Sequence, residues 1–427
     1  MADGSTPLVS IGLPVYNGER YLGEAIRSIL EQTFADFELV IADNASTDGT
    51  ADICRAAAAT DPRVRYHRNV TNLGASRNFT VVFELARGKY FKWAAHDDAC
   101  APDFLKRCVQ VLETDPAVVL CYAKTVTIGA DGRRLKEWPE LTGFAEAAAH
   151  RRFRASLWIG ETYLFWGLIR ASALRTTRLL GPYTGHDLPL LGELALHGRF
   201  HMVPEVLFFH REHAERSVRK HDFTRPHEAI GWCAPERQNK VILPQWRLFA
   251  EYCRAIRRAR AGVDDKLRCV GYMLPWLRTH QRELIRDLFY AMRRWPIVGG
   301  GLFDLYKAAL ARGWRTRTER LVRDLRSQVR SDQGIIFVDD GALLGTLPDS
   351  WRVVRLLERD GHYYGPPESD EVAISEVERL RQQGIRLLAV VWPSYWWFDY
   401  YTGLHRHLRE HYRRRLQNDR VVLFDLA

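Results

Sequence analysis

The chain is poor in the features that would assign it at once. Among its 427 residues there is no C-x-x-C pair, no internal repeat and no low-complexity tract, and no apolar run approaches the ~18 residues that a membrane-spanning helix needs. The seven cysteines, at 54, 100, 108, 121, 233, 253 and 269, fall mostly inside apolar helix or strand patterns. That is the distribution of reduced core thiols rather than of zinc ligands or a disulfide framework. The opening Met-Ala-Asp-Gly-Ser-Thr-Pro has neither a basic nor an apolar leader segment, so a soluble cytoplasmic protein is expected. What is present is an ordinary globular composition, 46% hydrophobic and 27% charged, over a length that suits roughly two to three domains.

Positive charge is in excess, and the excess is local. Residues 251–330 hold 19 Lys or Arg against 8 Asp or Glu, whereas the rest of the chain is balanced at 43 against 44. Such a field suits the inner face of an anionic membrane or an acidic acceptor, with solvated helix faces as the alternative.

Strand and helix patterns alternate from the start: strands over 8–13, 38–42, 64–66, 90–94 and 118–123, helices over 19–32, 50–59, 75–86 and 103–114. Leu22, Ala25, Ile26, Ile29 and Leu30 give the first helix one apolar face. This alternation predicts a Rossmann-like, mostly parallel α/β sheet covered by helices. A turn at Ala130-Asp-Gly132, an apolar run over 164–169, a helix opened by Gly185-His-Asp-Leu-Pro189, and a strand pair near 200–203 and 206–210 extend a first domain, 1–215. Residues 216–330 read as a basic helical region broken by Pro244, Pro275, Pro296 and Gly299-Gly-Gly301. Residues 331–427 read as a small α/β domain with strands over 335–338, 387–391 and 421–424 and helices near 370–383 and 402–413. There Asp339-Asp340 follow a strand, and Trp392, Tyr395, Trp396, Trp397, Phe398, Tyr400 and Tyr401 form an aromatic patch, read as core or interface rather than as a sugar platform.

Three segments place polar or acidic residues just after apolar strands: Val9-Ser-Ile-Gly-Leu-Pro-Val-Tyr-Asn17, Ile41-Ala-Asp-Asn-Ala-Ser-Thr-Asp-Gly-Thr50 and Lys92-Trp-Ala-Ala-His-Asp-Asp98. Ligands of open α/β sheets bind at the carboxyl ends of strands, so three such ends imply one shared nucleotide site. Gly12, Pro14, Tyr16 and Asn17 form a turn able to line a base or ribose, and Asp43 and Asn44 can accept a ring N–H from the base. Helix capping explains Ser46 and Asp48 but not Asp43. The adjacent carboxylates of Asp97 and Asp98 repel each other unless a cation or donor lies between them, so a divalent metal is their natural partner.

Together with Asn72-Leu-Gly-Ala-Ser-Arg-Asn78 and Gly88-Lys-Tyr-Phe91, the order and spacing of these segments resemble the family 2 glycosyltransferases, inverting enzymes of the GT-A fold, over about residues 8–215. The resemblance implies transfer of a hexose or deoxyhexose from a nucleoside-diphosphate sugar to an acceptor hydroxyl, with Mn²⁺ or Mg²⁺ as cofactor, in glycan or glycoconjugate synthesis. It implies Asp98 as the metal ligand, with Asp97 orienting the ribose or supporting the metal. Pro14, Tyr16, Asn17, Asp43 and Asn44 would hold the nucleotide, with Arg77 near it. His213, with Arg211, would contact metal or diphosphate, and Asp187 would be the general base.

Each assignment has a plainer rival. Arg77 also suits a surface ion pair, Asp187 a helix cap, and His213 a satisfied surface histidine; Glu193 is a weaker alternative base. Asn44 stands where the family often has a second Asp, which leaves UDP, dTDP and GDP open, and His96 replaces the first acid of the metal motif. The acceptor is a sugar, lipid-linked glycan, peptide or small molecule, not a nucleic acid; membrane contact through 251–330 and homo-oligomer formation are further expectations. A non-catalytic nucleotide-sugar or glycan-binding assembly protein is the rival function, opposed by the intact Asp43, Asp97, Asp98 and Asp187. A nucleotidyltransferase is disfavoured because the first strand is followed by no Gly-rich Arg/Lys loop.

Overall fold

The first strand, β1 (Val9–Val15), is buried along its whole length because both of its faces are covered. Val9, Ile11, Leu13 and Val15 face one helical layer, and Gly12 faces the other, where an added Cβ would lie 2.7 Å from Val82 and Phe91. The computed structural model describes residues 6–427 except 139, 160–161, 217–225, 239, 293–298, 331–332, 340–342, 344–346, 349, 357, 360–361, 364–366, 368–369, 396 and 399–400. The backbone groups into two units, Met1–Gly299 and Gly300–Ala427.

The first unit continues with α1 (Glu19–Leu30), β2 (Phe37–Asp43), α2 (Thr50–Thr60), β3 (Val64–Arg68), α3 (Ala75–Glu84), β4 (Tyr90–Trp93), β5 (Ala99–Cys100), α4 (Phe104–Thr114), β6 (Val118–Ile128), β7 (Arg134–Glu137), α5 (Ala149–Ser156), β8 (Leu168–Arg170), α6 (Ala171–Leu174), α7 (Asp187–His197) and β9 (Arg199–Arg211). The strands form one mixed sheet in the order β3-β2-β1-β4-β8-β6-β9-β5, with β7 on β6. β1 to β4 run parallel, β8 is antiparallel to β4 and β6, and β9 is parallel to β6. The carboxyl ends of β1, β2, β4 and β9 therefore open on the same edge. This is the mixed α/β sheet that the GT-A resemblance implies.

Two layers cover the sheet. Leu22, Ile26 and Ile29 of α1 pack with Phe104, Cys108 and Leu112 of α4 on one face; Val81, Val82 and Phe83 of α3 pack with Leu190, Leu191 and Leu194 of α7 on the other. The expected strand pair over 200–210 is instead the single strand β9. Its register shifts so that Val203 and Val206 stand opposite consecutive residues of β6, Ala123 and Lys124, and a bulge absorbs Pro204-Glu205. The apolar run over 164–169 divides into a 3-10 turn, Tyr163–Trp166, and β8.

Among the described residues this unit also holds α8 (Pro226–Cys233), α9 (Pro244–Arg258), α10 (Val263–Thr279) and α11 (Gln281–Met292). Pro244 occupies the first turn of α9, where its missing N–H costs nothing. Pro275 lies inside α10 and does not end it, contrary to the expected break; Pro296 is outside the described residues. Leu248, Tyr252 and Ile256 of α9 pack on Phe153 of α5 and on Met273 and Trp276 of α10. α10 also turns Val263, Leu267, Val270 and Leu274 outward as an exposed apolar stripe.

α12 (Gly299–Arg326) starts at the last residue of the first unit and leads into the second, so the glycine run expected to break a helix begins one. The second unit continues through β10 (Gly334–Val338), β11 (Arg352–Val354), β12 (Glu358–Arg359), β13 (His362–Tyr363), α13 (Asp370–Gln382), β14 (Leu387–Val391), α14 (Thr402–His411), β15 (Arg413–Gln417) and β16 (Val421–Asp425). Five strands form a sheet in the order β11-β10-β14-β16-β15, and β12 pairs with β13 separately. Trp397 and Tyr401 are core residues beside Val377 and Leu404, and Trp392 is buried with Leu343 and Val391. The aromatic patch is thus structural where it is described; Asp340, Trp396 and Tyr400 lie outside the described residues. Among the described residues no helix is long and apolar enough to cross a membrane.

Candidate active site

The ends of β1 and β2 are fastened to each other rather than each to its own helix. Asn17, at φ 51°, accepts a hydrogen bond on Oδ1 from the Thr47 N–H at 2.8 Å and donates its own N–H to Ser46 Oγ at 3.0 Å. Asn is one of the few side chains that tolerates this left-handed backbone. Gly18 N–H donates to Thr50 Oγ1 (2.9 Å), Glu19 N–H to Asp48 Oδ2 (3.2 Å), and Gly49 N–H to Glu19 Oε2 (2.7 Å). α1 and α2 therefore cap each other's first turns. Asp48 also serves its own helix, its Oδ1 accepting from Thr50 N–H at 3.1 Å.

Asp43 is fully buried, and its carboxylate is consumed inside the protein. Oδ1 accepts from Ser46 N–H at 2.8 Å, and Oδ2 accepts from Arg68 Nη1 at 2.5 Å and Tyr66 Oη at 2.9 Å. Asn44 is equally occupied. Its Oδ1 accepts from Asn69 Nδ2 (3.0 Å) and Leu73 N–H (2.9 Å), and its Nδ2 donates to Asn72 Oδ1 (2.8 Å) and Gly74 O (3.4 Å). A side-chain amide uses both lone pairs and both hydrogens in this arrangement. Asn44 thus holds the 69–74 loop against the sheet, and its amide has no unused atom to present to a base.

On the other side of β1, Asp97 and Asp98 each meet an imidazole from the end of β9. Asp98 Oδ1 accepts from Arg211 N–H at 2.9 Å, and its Oδ2 lies 3.1 Å from His210 Nδ1. Asp97 Oδ2 lies 3.0 Å from His213 Nε2. Burial pushes the Asp97 carboxyl up, but the bond from His213 and the charges of His96, His213 and His210 prevail and hold it at about 2. Burial lowers His210, yet the charge of Asp98 and the hydrogen bond to it raise it above the ordinary histidine value.

Lys92 supports this edge from beneath. It is buried between the rings of Phe104 and Phe208, and its Nζ donates to the carbonyls of Trp93 and Trp166. Burial pushes its pKa down.

One cavity of about 590 Å³ joins these strand ends. Pro14, Tyr16, Asn17, Asn44, Asp97 and Asp98 line it, as does His96. Of the other expected residues, Asp43 lies behind the wall just described. Arg77 lies on the outer face of α3, paired with Glu84 at 2.6 Å. His213 is buried against Tyr21, with Nε2 on Asp97 and Nδ1 accepting from Glu215 N–H at 3.3 Å, so both ring nitrogens are used within the protein. The imidazole that lines the cavity beside Asp98 is that of His210. Arg211 is likewise internal, bonding the Asp97 carbonyl and Glu24.

Asp187 occupies the first position of α7, where the helix N-terminus favours a carboxylate, while the cap position belongs to His186. His186 Nδ1 lies 3.0 Å from Ser76 Oγ, and the neighbours of Ser76 on α3, Ala75 and Asn78, line the cavity. Asp187 itself is not among the residues that line this cavity. Glu193 is buried in a two-pronged pair with Arg258, at 2.9 and 2.7 Å, which removes it as a base. Asn72 and Asn78, the ends of a segment that carries the resemblance but with no role assigned to either, line the cavity, as do Trp166, Arg216, Glu228 and Trp232, which no sequence pattern marked. Asn78 could have been found beside Arg77, but the α8 contacts come from about 130 residues beyond the metal motif and carry no local signature.

The donors present fit a hard divalent cation. Among the described residues no three His, Cys, Asp or Glu side chains form a ready metal cage. Mg²⁺-type sites in nucleotide enzymes use one or two carboxylates and complete their shell with phosphate oxygens and water, so a cage is not required. Asp98, with Asp97 beside it, supplies that carboxylate chemistry at the cavity wall.

A family profile described as Glycosyl transferase family 2 matches residues 10–170. Chondroitin synthase of Escherichia coli is 32% identical over 161 residues, which are 36% of this chain and 23% of that protein. Hyaluronan synthase of Pasteurella multocida is 30% identical over 139 residues, 32% of this chain and 14% of that one. The chain spans less than a quarter of the length of either relative. Among solved structures, residues 1–349 of S. aureus TarS in complex with UDP-GlcNAc give a TM-score of 0.47 at 16% identity, covering 67% of this chain and 80% of that one. The mannosyltransferase PcManGT from Pyrobaculum calidifontis, in complex with GDP-Man and Mn²⁺, gives 0.42 at 19% identity, covering 73% and 84%.

Proposed function

We propose that this chain, whose residues 10–170 match a glycosyl transferase family 2 profile, is an inverting, metal-dependent glycosyltransferase that moves a sugar from a nucleoside-diphosphate donor to an acceptor hydroxyl. The observation that carries this reading is the convergence of Tyr16, Asn17, Asn44, Asp97 and Asp98, from three parallel strand ends, on one cavity. The nucleoside lies along the β1 and β2 ends, against Pro14 and Tyr16, and the diphosphate lies toward Asp97 and Asp98. A divalent cation held by Asp98 would neutralise the departing diphosphate. Arg216, which lines the cavity while paired with Glu212 at 2.6 Å, adds positive charge there.

The chain's own contribution to the chemistry is position and a base. Asp187 accepts the proton of the acceptor hydroxyl, the freed oxygen forms a bond to the anomeric carbon from the face opposite the diphosphate, and the nucleoside diphosphate leaves with the electron pair. The closed network around Asp43 and Asn44 keeps the nucleotide wall rigid, so that little reorganisation accompanies the transfer.

The test is release of nucleoside diphosphate from a panel of UDP-, GDP- and dTDP-sugars with Mn²⁺. The wild type should turn over donors of one base, and Asp187→Asn should lower the rate by about 10³-fold with nucleotide affinity unchanged. Absence of turnover with every donor, or full activity in Asp187→Asn, would contradict the proposal.

A further inference from the structure

α10 has two apolar faces, and its own chain covers one of them. Cys269, Met273 and Trp276 are buried with Phe153 of α5 and Tyr252 of α9. Val263, Leu267, Val270 and Leu274, each more than half exposed, lie about a third of a turn round the helix from that core face. Their spacing of four, three and four residues keeps them in one straight seam, the period with which one helix packs lengthwise on another.

The charges beside the seam identify the partner. Asp264 and Arg278 are both exposed, lie on the same flank and stand seven residues before and seven residues after Gly271. Among the described residues neither forms an ion pair within the chain, whereas the next two side chains are engaged: Asp265 meets His150, and Lys266 Nζ donates to the Arg257 carbonyl at 3.0 Å. A second α10 laid antiparallel along the seam, with a two-fold axis at Gly271, brings Asp264 of each copy to Arg278 of the other and Leu267 of each beside Leu274 of the other. A parallel pair would set like charges together at both ends. Gly271 carries no side chain at the crossing, and the space where a Cβ would stand is open. An anionic membrane suits the seam less, since Asp264 and Asp265 stand at one end of it and no aromatic side chain belongs to it.

We propose that α10 is a self-association surface: two copies of this chain pair antiparallel through the seam from Val263 to Leu274, in a two-fold dimer closed by reciprocal Asp264–Arg278 pairs. The inference goes beyond the glycosyltransferase reading and does not depend on it. No residue of α10 lines the strand-end cavity, so the pairing uses none of that cavity's walls. A pair of 17-residue helices is small beside the interfaces of permanent dimers, so the association is weak, with a Kd of about 10 µM.

Sedimentation equilibrium of the full chain between about 1 and 100 µM tests this, with thermal unfolding of every variant as the check on folding. The wild type should pass from one chain mass toward two and no further. Leu267→Glu, at an exposed position, should weaken the association about tenfold or more without lowering the unfolding temperature. Asp264→Arg and Arg278→Asp should each weaken it about fivefold, because symmetry sets two like-charged pairs in either variant, and the double variant should return to wild-type affinity. Both exchanges place the wrong charge at an end of α10, so recovery in the double variant comes only from pairing between copies. A mass that stays at one chain, growth beyond two, indifference to Leu267→Glu, or a double variant no better than the single ones would each overturn the proposal. Binding of a monomeric wild type to anionic vesicles that Leu267→Glu abolishes would assign the seam to a membrane and overturn it as well.

Discussion

The two sheets use one local device to different ends. In the first unit β2 runs into Asp43-Asn44 and β4 into His96-Asp-Asp98, and the neighbouring ends of β1 and β9 bring Asn17 and His210 to the same edge. In the second unit β10 runs into Asp339, which is just as buried, but there Asp339 Oδ2 accepts the Leu343 N–H at 2.8 Å and steadies its own loop. The strand beside it, β14, ends in Trp392 rather than in a polar side chain, and the surroundings close into core. In the first sheet the residues after β1, β2 and β4 line one shared cavity, and that shared cavity is what distinguishes the edge.

Within the first sheet the two halves of the edge also differ. Around Asp43 and Asn44 every polar atom described has an internal partner, whereas Asp98 is matched with the His210 imidazole on the cavity side and Asp97 with the His213 imidazole buried behind it. One half is scaffold and the other holds titratable charge. Asn44→Asp should break the scaffold half: it removes the two Nδ2 bonds and sets a carboxylate against Asn72 Oδ1 and Gly74 O, at a cost of about 2–3 kcal/mol in urea or thermal unfolding. If Asn44→Asp were as stable as the wild type and changed the preferred base, Asn44 would be a selector rather than a strut.

The charged half should announce itself in acid. The Asp97 carboxyl is held at about 2 when folded, against ~3.9 in an unfolded chain. A depressed folded value stabilises above the unfolded pKa and is lost as pH falls through the folded one. Asp97→Asn should therefore cost about 2 kcal/mol at pH 7, with the gap to wild type closing between about pH 4 and pH 2. A gap independent of pH would remove the electrostatic account of this pair.

The second sheet supplies the control. Asp339→Asn keeps an acceptor for Leu343 N–H, and sugar transfer should be untouched. Loss of transfer in that variant would erase the distinction between the sheets. Arg77→Ala should do least: its pair with Glu84 is half exposed, worth under about 0.5 kcal/mol, and nucleotide affinity should not move.

The strands and helices of the first 128 residues were legible because their apolar periods are strong and their faces are segregated, as in β1 and α1. β9 was harder, since Pro204 reads as a turn when nothing in the sequence shows the bulge on which β6 accommodates it. β15, Arg413–Gln417, is nearly all polar because it is an edge strand, with side chains that leave no alternating signal. At the site, the strand-end residues were visible and their roles less so. The family resemblance brought Arg77 forward, but the helix turns it outward and turns Ser76 and Asn78 in. His210 and His213 stand three apart in sequence, and only the fold shows that the first reaches the cavity and the second is sealed behind it.

The central claim is that the edge at Asp97 and Asp98 binds a nucleoside diphosphate together with a divalent cation. Calorimetric titration of UDP, GDP and dTDP, with and without Mn²⁺, into the wild type and Asp98→Asn tests it most directly. The account predicts that Mn²⁺ tightens binding of one nucleotide by about tenfold or more in the wild type and that Asp98→Asn abolishes the gain. Equal binding with and without the metal, unchanged by Asp98→Asn, would contradict it.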